Sequence, residues 1–73
     1  MNSPTVFARR SLAFLLTGNP DAALGDAMEA LTVRPRWPTA YYLQAAALTA
    51  LGHREDAEDM MREGQAIEAS QQH

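Results

Sequence analysis

PTVFARRSLAFLLTG, residues 4–18, and PTAYYLQAAALTALG, residues 38–52, are two copies of one pattern, and their comparison decides the fold. Each opens on a proline and closes on a glycine, and the copies lie 34 positions apart. At that offset Pro4 meets Pro38, Thr5 meets Thr39, Ala13 meets Ala47 and Gly18 meets Gly52. Conservative pairs fill the gaps: Phe7 with Tyr41, Ser11 with Ala45 and Phe14 with Leu48. Beyond the glycines the correspondence continues, with Ala23 on Ala57, Ala27 on Met61, Glu29 on Glu63, Ala30 on Gly64 and Val33 on Ile67.

Local signals divide the chain in the same way without using the repeat. Ser3-Pro4 is a helix start, because serine can accept a free amide and proline at the first helical position lacks an N–H that would be orphaned there. The first helix is expected over residues 4–17, where Gly18 supplies a left-handed stop. Asn19-Pro20-Asp21 restarts the chain with a cap, a proline and an acid at the positive end of the helix dipole, for a second helix over 20–33. Pro35 and Pro38 push the residues before them out of the α region, ending that helix and opening a third over 38–51. Gly52 ends the third. Glu55-Asp56 opens a fourth over 54–69, after which Ser70, Gln71, Gln72 and His73 are expected to fray.

Small residues Ser11, Ala23, Ala30, Ala45 and Ala57 are placed to let helix axes approach, with Phe7, Phe14, Tyr41 and Leu48 filling the space between them. Gly64 sits where its copy is alanine, at a cost of about 1 kcal/mol of helix propensity, and so marks tight packing.

Composition narrows the function classes. A chain of 73 residues is one small domain of modest stability. It has no cysteine, which excludes disulfides and thiolate metal sites. Apolar runs such as residues 12–16 and 45–48 are far too short to span a bilayer. Met1-Asn2-Ser3-Pro4 matches neither a secretory signal nor a myristoylation site. The net charge is −3 and all six basic residues are arginines, scattered along the chain, which argues against nucleic acid. The acids gather late, at Glu55, Asp56, Glu58, Asp59, Glu63 and Glu68, as a solvated helix face. His53 and His73 form no metal-ligand spacing, no nucleophile has an evident base, and Gly18 and Gly52 belong to no phosphate-binding pattern. No catalytic, cofactor or metal residue is therefore assigned, and the chain is read as a non-enzyme.

A 34-residue helix-turn-helix period is that of tetratricopeptide repeats. The expected fold is all-α: two repeats, over residues 4–37 and 38–71, forming a fragment of a right-handed α-solenoid and one domain over 1–73. With Pro35 closing the first repeat, Gly18, Ala23 and Ala30, and then Gly52 and Ala57, fall on the glycine and alanine positions of that family. Three stretches, SPTVFARRSLAFL (residues 3–15), DAMEA (26–30) and WPTAYYLQAAALTALG (37–52), resemble more closely the carboxy-terminal tetratricopeptide region of plant brassinosteroid-signalling kinases. The resemblance implies a receptor-like cytoplasmic kinase or pseudokinase parent, anchored on the cytoplasmic side of the plasma membrane by N-terminal acylation, while these residues are themselves soluble. It implies a role in brassinosteroid and immune signalling, restraining the kinase domain or recruiting partners. The sequence departs from the family in its less basic ending and in showing no helical hairpin ahead of Pro4.

The first helix of each such hairpin lines a concave groove. Repeat position assigns Thr5, Ala8, Leu12, Leu15 and Leu16 to it from one helix and Thr39, Tyr42, Ala46, Thr49 and Ala50 from the other, with Arg9 at the rim for an acidic partner. A protein segment with apolar anchors is the expected ligand. Equally, Leu12 and Leu15 are what a preceding hairpin would cover. The positions that clamp carboxylate tails in some tetratricopeptide proteins hold Ala8, Leu12, Thr39 and Leu43, which cannot neutralise a carboxylate. Trp37 is either a partner anchor or a packing residue between repeats, and Arg9-Arg10 reads as one paired and one solvated side chain. Self-association, with hairpin exchange at Gly18 or Gly52, is the alternative role.

Overall fold

The computed structural model describes residues 3–71. Within them lie four helices: α1 (Pro4–Leu16), α2 (Pro20–Val33), α3 (Pro38–Ala50) and α4 (Arg54–Gln71). Among the described residues there is no strand. Consecutive helices pack on one another, and α1 also touches α3, so that α1 and α3 share one layer while α2 and α4 back them. The result is a slab of 37 × 33 × 16 Å, thin enough for two layers of helices.

Three of the four helices begin where a proline predicts. Ser3, Asn19 and Trp37, the residues before Pro4, Pro20 and Pro38, all lie outside the α region. Ser3 caps α1 by accepting from the Thr5 amide at 3.2 Å. Asn19 occupies the corresponding place before α2, but its side chain makes no capping bond, so the expected cap there is absent.

The two glycine stops are built identically. Gly18 has φ +80° and Gly52 φ +86°. In the first turn the Asn19 amide donates to Phe14 O at 2.8 Å and Gly18 to Leu15 O at 3.3 Å. In the second, His53 donates to Leu48 O at 2.8 Å and Gly52 to Thr49 O at 3.0 Å. This is the Schellman arrangement, in which a left-handed glycine lets the chain satisfy its own last carbonyls. It turns Thr17 and Leu51 out of the helices, which end one residue earlier than expected.

The carboxyl end differs from expectation. Ser70 and Gln71 continue α4 instead of fraying: the Ser70 hydroxyl donates to Ile67 O at 2.8 Å, and Ile67 is buried one turn below. Gln72 and His73, like Met1 and Asn2, lie outside the described residues.

The core is nearly all alanine. Ala8, Ala23, Ala27, Ala30, Ala40, Ala45, Ala47 and Ala57 are buried, with Ile67 the one larger apolar member among the described residues. Phe7, Phe14, Tyr41 and Leu48, expected between the helices, are only half-buried. Short side chains draw the axes together and leave the larger ones at the margins. Ser11 illustrates the closeness: fully buried on α1, it donates to the Ala23 carbonyl of α2 at 2.7 Å. Beside it Arg10 makes a bidentate ion pair with Asp26, both bonds at 2.8 Å, across the same helix pair. That pair raises the Arg10 guanidinium above its ordinary value, mainly through the Asp26 hydrogen bond and then its charge. Arg9 is exposed, so the adjacent arginines divide into one paired and one solvated, as the sequence reading favoured.

Gly64 acquires a specific reason. A Cβ there would lie 2.5 Å from Cε1 of Tyr42. In the first repeat the same two positions hold Ala8 and Ala30, so the hairpins solve one crossing as small against small and as large against nothing. Gly64→Ala is expected to destabilise by about 1 kcal/mol, overpacking of roughly 2 kcal/mol being offset by about 1 kcal/mol of helix propensity. In a Tyr42→Ala background, which reproduces the first repeat's pair, Gly64→Ala should no longer destabilise. Urea midpoints of the two single variants and the double variant measure both effects.

Candidate functional site

Between α1 and α3 the shared layer opens into a shallow hollow of about 260 Å³ lined by Thr5, Ala8, Arg9, Leu12, Trp37, Thr39 and Leu43. These residues meet because positions 5, 8, 9 and 12 form one stripe of α1, while 39 and 43 lie one turn apart on α3. Its exposed lining is apolar. Leu12 is half exposed at its floor, a state that is unfavourable in water unless something covers it. The guanidinium of Arg9 stands at the edge without an ion-pair partner among the described residues.

Trp37 enters from the loop between α2 and α3, where its carbonyl accepts from the amides of Ala40 and Tyr41 as α3 begins. The Arg34 guanidinium stacks over its ring, 4.9 Å from the centroid. This contact holds the indole from one side and leaves the ring as one wall of the hollow. The chain gains the bend that presents Trp37 through Arg36, whose φ of +61° is the one left-handed non-glycine conformation among the described residues.

Of the expected groove residues, the hollow thus unites Thr5, Ala8, Arg9, Leu12 and Thr39. Leu15 is half-buried and Leu16 exposed further along α1, while Ala46, Thr49 and Ala50 are exposed further along α3. None of these five lines the hollow. Tyr42 is a correction: it turns towards α4, where its hydroxyl donates to Glu68 and its ring covers Gly64. Repeat position had placed Tyr42 beside Ala8, but a phenol reaches where a methyl cannot, and Gly64 supplies the room. Leu43 and Trp37 line the hollow as well; the sequence offers Leu43 only as one of the four clamp positions and Trp37 as an anchor or a packing residue between repeats, and neither as a member of the groove. The offset held the signal for Leu43, since its copy is Arg9; Trp37 needed the loop geometry.

A second hollow, of about 300 Å³, lies at Gly52, His53, Arg54, Glu55 and Asp56. It is the first turn of α4, polar and open, with Glu55 and Asp56 themselves at the positive end of the helix. Among the described residues no three metal-ligating side chains gather, and no helix is long and apolar enough to cross a membrane.

The Tyr42–Glu68 bond titrates. Hydrogen bonding to Glu68 first, then desolvation and the Glu68 charge, raise the phenol above its ordinary value of 10.0. Because the folded value lies above the unfolded one, the bond's contribution to stability is complete at neutral pH and is lost as pH rises past about 10. In a Tyr41→Phe background, tyrosinate absorbance should report Tyr42 ionising above the ordinary value, and Glu68→Gln should lower it.

The family described as serine/threonine-protein kinase BSK1-like, TPR repeats, matches residues 1–45. The chain is 54% identical over 72 residues to serine/threonine-protein kinase BSK1 of Arabidopsis thaliana, covering 99% of this chain and 14% of that protein. It is 50% identical over 70 residues to the probable serine/threonine-protein kinase BSK3 of Oryza sativa subsp. japonica, covering 96% and 14%. It is 46% identical over 65 residues to the probable inactive receptor-like kinase BSK12 of Arabidopsis thaliana, covering 89% and 14%. The chain therefore spans about one-seventh of the length of these relatives. No solved structure matches it.

Proposed function

The chain belongs to the family of BSK1-like serine/threonine-protein kinase TPR repeats, and from that premise we propose that it is the protein-binding module of such a kinase, holding a partner segment in the hollow between α1 and α3. The observation that carries this reading is the apolar hollow itself, with Leu12, Leu43 and Trp37 as anchors and Arg9 beside them. An amphipathic segment with two apolar side chains and an acid near them matches that surface.

The finer role is that the bound segment belongs either to the kinase domain of the same protein, which the module restrains, or to receptor kinases and downstream proteins that it recruits. The setting is brassinosteroid and immune signalling at the cytoplasmic side of the plasma membrane, reached through acylation of the parent. Relatives named as a kinase and as a probable inactive kinase both carry the region. A binding role accommodates both, because it requires no phosphoryl transfer by the parent. Catalysis, where the parent has it, lies in other residues, since this chain is a repeat region and not a catalytic domain.

Pull-down or calorimetry with the kinase domain of the parent measures the effect. Leu12→Asp and Leu43→Asp should each weaken binding about tenfold or more, the loss expected when a desolvated apolar anchor becomes a charge. Tyr42→Ala should alter affinity little, because its ring faces α4. Unchanged affinity in both aspartate variants would remove the hollow from the interaction.

A further inference from the structure

The internal repeat supplies its own standard for which surfaces ought to be covered. On α3, Ala40 and Ala47 are fully buried, two turns apart, on a face turned roughly 100° from Gln44 and Ala45, the copies of the residues by which α1 meets α2; α3 also packs on α2. Their copies on α1 are Val6 and Ala13. Val6 is 51% exposed against 0% for Ala40, and Ala13 is exposed where Ala47 is not. This edge lies roughly 100° around α1 from the hollow at 100° per residue, so it is a separate surface.

The opposite end of the slab differs in chemistry. Leu24, Ala27 and Leu31 share a face of α2 turned roughly 100° from Ala23, Asp26 and Ala30, the stripe that meets α1: Ala27 is fully buried and both leucines are half-buried, and α3 is the other helix packed on α2. Their copies on α4 are Glu58, Met61 and Gln65, all exposed. Two of the three are polar, as at the solvated end of a repeat array. The α1 edge keeps apolar side chains at both of its counterpart positions.

We propose that the outer edge of α1, centred on Val6 and Ala13, docks one further helix of α2's pattern, with apolar or small residues at the positions of Leu24, Ala27 and Leu31. It runs antiparallel to α1 and is joined ahead of Ser3 as α2 is joined ahead of Pro38. The continuity of the α2–α3 interface identifies the occupant: the surface that α2 covers on α3 recurs on α1 one repeat earlier. A protein of the relatives' length has ample sequence to supply such a helix. This proposal does not rest on the binding role of the hollow.

The test adds the missing neighbour. A chain in which residues 19–37 are joined directly to Pro4 should melt about 5–10 °C above the original, the shift expected from one added repeat interface. Val6→Asp should leave the 73-residue chain within about 2 °C of its own midpoint and abolish the gain in the extended chain. No gain, or a gain that survives Val6→Asp, overturns the proposal. Should the extended chain fail to fold, a peptide of residues 19–36 added to the original chain gives the same decision by NMR. Shifts centred on Val6 and Ala13 support the proposal, and shifts confined to Leu12 and Leu43 overturn it. Light scattering across a dilution series of the 73-residue chain completes the test. A mass that rises with concentration and is returned to monomer by Val6→Asp makes a second copy the occupant and overturns the helix supplied in cis.

Discussion

Close approach of helix axes is the constraint on which this structure depends. Where α1 crosses α2 the contact is a serine hydroxyl against a main-chain carbonyl, and where α3 crosses α4 it is a tyrosine ring against a bare glycine. An interior of alanines contributes little apolar area per residue, so shape rather than bulk holds the helices in register. A larger side chain at any of these crossings would force the helices apart, and a hydroxyl or ion pair there needs its partner. Arg10 with Asp26 and Ser11 with Ala23 meet that demand within one helix pair.

The same economy creates the surfaces. Because the interior is filled by methyl groups, the larger apolar side chains are displaced to the margins of the helices, where Leu12, Leu43 and Trp37 line a hollow and Val6 lies open at an edge. A repeat array separates these two kinds of apolar exposure by geometry. The inner layer presents a concave face to a ligand, and the end faces await another repeat or a polar finish. In this chain α4 is acidic and exposes Glu58 and Gln65 where α2 carries Leu24 and Leu31.

The two repeats are not interchangeable even where their backbones follow one plan. The position that is Ala8 in one is Tyr42 in the other, and its neighbour changes from Ala30 to Gly64 in compensation. Arg10 and Asp26 become Gln44 and Met60, so the ion pair of the first hairpin has no copy in the second. Such paired exchanges explain how a repeat keeps its crossing geometry while each copy carries different surface chemistry.

The linear sequence determined the helices, their order and their turns, because prolines, glycines and a capping serine act through the backbone of their own neighbours. Pro4, Gly18, Pro38 and Gly52 required no knowledge of distant contacts to be read. Of the eleven residues that repeat position assigns to a groove, five meet in the hollow, Thr5, Ala8, Arg9, Leu12 and Thr39, because they form one stripe of α1 with the first turn of α3 beside it. Tertiary structure alone decided where the long side chains went. Tyr42 left the groove for α4, Trp37 entered the hollow from a loop bent at Arg36, and Arg10 found Asp26 sixteen residues away. A long side chain chooses among several neighbours according to the space and hydrogen bonds that the other helices offer, and those are fixed only when the helices are packed.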